Sequence, residues 1–153
     1  VSVSLSSNIM TVAYYFKGSN GRRNLTRQIT DWFAKTYIGK HKISIDFIAR
    51  GMLREGDYGT CCIVDSVSRP RAFEINIHNR LTTIDFITTL VHELSHVQQR
   101  VHREHVTKYN KNYWARKHVP SDTCYADQPW EQAAHYLESR IAARAIRDLS
   151  LVV

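Results

Sequence analysis

Ile87, Leu90, Leu94, Val97 and Val101 recur at spacings of three and four, which lines apolar side chains along one face of an α-helix. Threaded through that stripe is His92-Glu93-Leu94-Ser95-His96, and the two patterns together fix how the stretch must pack. At about a hundred degrees per residue, His92 and His96 lie roughly 200° and 240° round from Leu90. One face of the helix therefore enters a core while the opposite face looks into a polar space. Thr82 or Thr83 is the expected cap, with Asp85 near the positive end of the helix. Leu90, Val91, Leu94 and Val97 give the motif the apolar surroundings of a buried element.

Residues four apart on a helix stand one above the other, so the imidazoles of His92 and His96 can hold a single metal ion. Zinc suits such a pair, because three protein ligands leave one position open to water. Glu93 flanks that position and can take a proton from a zinc-bound water. The third ligand must come from elsewhere. Downstream, Pro129 opens a helix at its favoured first-turn position, with Asp127 or Gln128 as cap and Trp130, Ala134, Leu137, Ile141 and Ala145 as the apolar stripe. That helix offers Glu131 and, one turn further on the same face, His135. Cys124 and His118 rank behind them.

Composition narrows the classes. A chain of 153 residues suits one domain, residues 1–153, and 43% apolar with 23% charged residues is ordinary for a globular protein. No apolar run spans a bilayer and the N-terminus lacks a signal-peptide pattern, so the expected partner is not a membrane and the expected compartment is the cytoplasm. Cys61, Cys62 and Cys124 are odd in number and lack CxxC spacing. They read as buried free thiols in a reducing environment. The net charge of +7 is uneven. Between residues 99 and 118 stand Arg100, Arg103, Lys108, Lys111, Arg116 and Lys117, with Tyr109, Tyr113 and Trp114 among them. Such a segment is most often a solvated basic loop; it could also follow a phosphate backbone or hold an acidic substrate.

Alternation and turn residues supply the remaining elements. Thr11 to Phe16 reads as a strand ending at Gly18 and Gly21; Leu25, Ile29, Trp32, Phe33 and Tyr37 read as a helix stopped by Gly39. Ile43, Ile45 and Phe47 alternate, Gly51 and Gly56 to Gly59 mark a turn, Cys61 to Val64 is a short strand, and Phe73, Ile75 and Ile77 alternate after Pro70. A loop of roughly two dozen residues is expected before Pro129, with no glycine after Gly59 to make turns.

The His-Glu-x-x-His motif followed by Pro129-Trp130-Glu131 resembles the zincin metallopeptidases, and more narrowly small gluzincin-like ones, several of them phage-encoded. The resemblance runs over residues 25–148 in element order, but only the two motifs are specific. It implies an α+β, minimal zincin fold. A twisted, mostly antiparallel sheet of about three to five strands would pack on the motif helix, with an N-terminal helix and a C-terminal ligand-bearing helix. It implies a zinc-dependent endopeptidase holding one catalytic Zn2+ through His92, His96 and Glu131, with Glu93 as base. A metzincin arrangement, with His102 as third ligand, fails. Gln99 replaces the midway glycine, the only methionines are Met10 and Met52, and a continuing helix carries His102 about 9 Å along its axis.

Where larger gluzincins place an aspartate four residues after the ligand glutamate, this chain has His135, which becomes a candidate bracing residue, transition-state donor or alternative ligand. Tyr125 resembles the tyrosine placed ahead of the ligand helix in some toxin proteases, with Tyr136 as the alternative oxyanion donor. A peptide or protein substrate is expected to pair with an edge strand, for which Phe73, Glu74, Ile75, Asn76, Ile77 and His78 form the best candidate. The rival reading is a basic nucleic-acid-associated protein with a structural zinc, or a protease recruited to nucleoprotein, working through segment 99–118. For a phage-encoded copy, the virion is a second expected location.

Overall fold

The computed structural model describes residues 12–17, 22–50 and 58–153. Its order is β1 (Val12–Lys17), α1 (Arg23–Phe33), β2 (Ile43–Arg50), β3 (Gly59–Ile63), β4 (Ala72–His78) and α2 (Thr83–Val101). Three short strands follow, β5 (His105–Lys108), β6 (Lys111–Trp114) and β7 (Lys117–Val119), and then α3 (Pro129–Asp148). The fold is α+β, and the described residues form three α-helices and two small sheets, ordered β1-β2-β4-β3 and β5-β6-β7. Among the described residues no helix is long and apolar enough to cross a membrane. The expected strand from Thr11 appears as β1, while Gly18, Gly21, Gly51 and Gly56 lie outside the described residues.

Alternation gives the main sheet one apolar face. Register aligns Val12 with Ile43, Ile45 with Phe73, Phe47 with Ile75, and Ile75 with Cys61. Ile43, Ile45, Phe47, Phe73, Ile75 and Ile77 are buried on that face. Ile29 and Phe33 of α1 and Ile87, Leu90, Leu94 and Val97 of α2 fill the core against it. The apolar stripe of α2 packs as its period requires. At the end of α1 the chain widens, Gly39 N–H donating to Ala34 O at 2.9 Å. Gly39 then stops the helix with φ of 85°, a value that favours glycine.

Three expectations are corrected. The main sheet is mixed rather than mostly antiparallel: β1 pairs with β2 and β2 with β4 in parallel, and only β3 runs antiparallel, to β4. The cause is α1, because a helical crossover returns the chain to the starting end of the sheet and makes β1 and β2 parallel. Phe73 to His78 is not an edge strand. It forms β4, paired on both sides, and β3 takes the edge, because the chain reaches the edge first and then returns through β4. The expected loop before Pro129 holds the β5-β6-β7 meander. Its two turns place Tyr109 and Asn110 at φ of 51° and 60°, and Ala115 and Arg116 at 46° and 69°. These are two-residue hairpin turns built without glycine.

Candidate metal centre

Thr82 caps α2 as expected, its hydroxyl accepting from the Asp85 backbone N–H at 3.2 Å. With the apolar stripe locked in the core, His92 and His96 are carried to the far side, against α3. Proline opens α3 at its first position, and Glu131 in the first turn faces both histidines. Glu131 Oε2 lies 3.1 Å from His92 Nε2, and Oε1 lies 3.1 Å from His96 Nε2. The two Nε2 atoms are 3.2 Å apart. One ligand atom from each of the three residues falls within 4.8 Å of the others, a spacing that could hold a metal ion.

The outer nitrogens fix how the two rings are turned. His92 Nδ1 is 2.7 Å from Glu138 Oε2, and a carboxylate only accepts, so Nδ1 carries the proton. His96 Nδ1 donates to Gln99 Oε1 at 2.9 Å; the amide is turned that way because Gln99 Nε2 donates to Trp130 O at 3.0 Å. In the neutral rings both Nε2 atoms are therefore bare lone pairs, aimed at each other and at a carboxylate. Two ring nitrogens and a carboxylate thus converge, with the Tyr125 hydroxyl also on Glu131 Oε2, and either a metal ion or a shared proton would satisfy the nitrogens and the carboxylate together. Two imidazole nitrogens and a carboxylate are donors that zinc accepts.

The same contacts set the electrostatics. Burial works against a charge on His92, but hydrogen bonding to Glu131 and Glu138 and the field of Glu93 outweigh it and raise its pKa. Burial likewise pushes Glu131 up, yet His92, His96 and Tyr125 hold it well below the usual carboxylate range.

Glu93 is buried beside the cluster. It shares a cleft of about 260 Å³ with Tyr58, Gly59, Thr89, Tyr125, His135 and Glu138, among others. The backbone of β3 crosses close above it: a Cβ at Gly59 would stand 3.1 Å from Glu93 Oε1 and 2.8 Å from Thr89 Cγ2. The edge strand thus starts in contact with the proposed base. Tyr125 donates to Glu131 Oε2 at 2.6 Å, and its hydroxyl is 3.5 Å from His135 Nε2. His135 lies at the cleft mouth with Nδ1 3.3 Å from Glu138 Oε2, and its ring centroid is 4.5 Å from that of His92. A second grouping of His92, His135 and Glu138 is also compact enough for a cation, but its His135 is exposed where the first group is buried or half-buried throughout.

Other candidates stand apart. His102 caps the end of α2, with Nε2 2.9 Å from Ile38 O. Cys124 bonds Asp127 Oδ2 at 3.0 Å, His118 is exposed, and Tyr136 is exposed beneath Arg140. The cysteines are free, but Cys62 and Cys124 are exposed and Cys61 only partly covered, rather than all buried. The edge position of β3 explains Cys62, and a surface turn explains Cys124. The basic segment is divided: Arg100 turns inward to Thr107, Arg103 bonds Ser68 O, and Lys108, Lys111, Arg116 and Lys117 are exposed around the meander turns.

Glu138, Gln99 and Gly59 take parts that the motif does not announce. Glu138 is seven residues beyond Glu131, on the same helical face, and Gln99 is three beyond His96, so spacing alone offered a signal for both. No protein-family model, curated protein or solved structure matches the chain.

Proposed function

We propose that the chain is a zinc-dependent endopeptidase of minimal zincin type. The observation that carries this reading is the convergence of three acceptors from His92, His96 and Glu131 beside a buried Glu93. A zinc ion held there supplies a Lewis acid that polarises a carbonyl and lowers the pKa of water. Glu138 and Gln99 fix the ring orientations of the two histidines. Glu93 takes the proton from the attacking water and passes it to the leaving amine. Tyr125 and His135, at the mouth of the same cleft, donate to the oxygen that gains charge. An extended peptide adds to the open side of β3, where Gly59 keeps its backbone close to Glu93.

The test compares zinc content and peptide cleavage in wild type, Glu93→Gln, Glu131→Ala and His135→Ala. Glu93→Gln is expected to keep zinc and lose cleavage by at least a hundredfold, whereas Glu131→Ala loses zinc. Glu131→Ala binding zinc as tightly as wild type would sink the ligand set. Salt-sensitive affinity for DNA, with no peptidase activity at any pH, would favour the nucleic-acid reading instead.

A further inference from the structure

On the His96 side of the metal centre lies a second cleft, of about 370 Å³. Ile63 and Phe73 of the main sheet form one wall. The lining also includes the stacked pair His105 and Trp130, with ring centroids 3.9 Å apart and planes 9° apart. His96 and Glu131 close the end nearest the metal centre, and Arg100 also lines the cleft. Arg100 stands one helical turn after His96, so it shares that face of α2.

Arg100 is half-buried, and among the described residues no acid pairs with it. Its Nη1 donates to Thr107 Oγ1, a neutral acceptor, at 2.8 Å. Among the described residues no carboxylate lies within 4.0 Å of its guanidinium. Glu131, the one carboxylate lining the cleft, has its oxygens engaged by His92, His96 and Tyr125. Cys61 stays a thiol, because burial pushes its pKa well up. A guanidinium drawn partly out of water between apolar and aromatic walls is costly without a counter-ion. It is also held in place: Thr107 donates on to Asn112 Oδ1 at 2.8 Å, and His105 Nε2 donates to the same oxygen at 3.0 Å.

We propose that this cleft is a carboxylate-recognition pocket in which Arg100 receives an acidic group of the substrate next to the metal centre. The inference rests on the peptidase reading and names its substrate class: acidic peptides, cut beside Asp or Glu or close to a free C terminus. Gly59 borders the first cleft and Cys61 to Ile63 border the second, so one extended peptide along β3 passes from cleft to cleft. The planar fork of arginine matches a carboxylate in two parallel hydrogen bonds. The net charge of +7 draws the same class of substrate.

The test uses zinc-loaded Glu93→Gln, which holds peptides without cutting them. It is titrated with an acetylated, amidated neutral octapeptide, with versions carrying one Glu walked through each position, and with the neutral sequence bearing a free C terminus. One register of Glu, or the free C terminus, is expected to bind about tenfold tighter than the neutral parent. Which of the two gains identifies the source of the carboxylate. Adding Arg100→Gln reduces the gain to within twofold, and Arg100→Lys keeps part of it, with zinc content and thermal midpoint as checks on folding. A gain in no peptide, or one that survives Arg100→Gln, overturns the pocket. Wild type that binds with this preference but cuts none of the peptides removes the peptidase reading and leaves the pocket standing. Cleavage whose sequence preference ignores Arg100→Gln does the reverse.

Discussion

At the level of single residues, Glu138 settles which nitrogen of His92 faces the cluster. Its Oε2 lies 2.7 Å from His92 Nδ1 and 3.3 Å from His135 Nδ1, so one carboxylate orients the His92 ring and tethers the residue at the cleft mouth. Truncation to Glu138→Ala frees the His92 ring to turn and to exchange tautomers. Zinc affinity is expected to fall about 10- to 100-fold, measured by competition with a chromogenic chelator. Affinity equal to wild type would mean that helix packing alone orients the ring. The neighbouring parts of the site were unequally legible. His92, His96 and Glu93 could be read directly, because the helical period fixes their relation before any tertiary contact forms. Glu131 needed a second helix and became a candidate only through its place in a first turn. Glu138 and Gln99 take their meaning from how α3 lies along α2, which no local pattern states.

At the level of elements, the β5-β6-β7 meander replaces what reads as a loop, since its turns carry none of the usual glycine. Besides the Arg100 bond to Thr107, it is joined to the rest of the molecule by His105, buried and stacked on Trp130. Burial first, and then the field of Arg100, lowers the His105 pKa to about 4. A depressed folded value favours the neutral ring, so the stability it contributes is present above the ordinary value of 6.5 and is lost as pH falls through about 4. The urea midpoint of the protein is therefore expected to drop between those limits. His105→Phe keeps the stack and should flatten that part of the profile; an unchanged slope would place the acid sensitivity elsewhere. In the main sheet, the edge position is hidden from the sequence in a similar way. Phe73 to His78 alternates more cleanly than Gly59 to Ile63, but clean alternation marks the well-packed interior of a sheet as readily as its rim. Edge position depends on the order in which strands are laid down, and only tertiary structure reports it.

For the whole molecule, the proposed zinc between His92, His96 and Glu131 would tie α2 to α3, elements separated in sequence by the entire meander. Without a metal, a proton must serve. The raised His92 pKa means that its contribution to stability is complete below the ordinary value of 6.5 and is lost as pH rises through its elevated value. The depressed Glu131 pKa gives a contribution present above the ordinary value of 4.5 and lost only as pH falls below the usual carboxylate range. The metal-free cluster is thus most favourable between those two values and weaker at pH 8. Zinc reverses this order, since it binds the neutral rings and competes with their protons. Free zinc at a thousand times its dissociation constant adds about 4 kcal/mol, which for a domain of this size raises the thermal midpoint on the order of 10 °C. Unfolding followed with zinc and with a chelator, at pH 5.5 and pH 8, should show the larger zinc gain at pH 8. In Glu131→Ala most of that gain should vanish. A gain of equal size in wild type and Glu131→Ala would mean that the stabilising ion sits elsewhere in the fold, and α3 would then join α2 by packing alone.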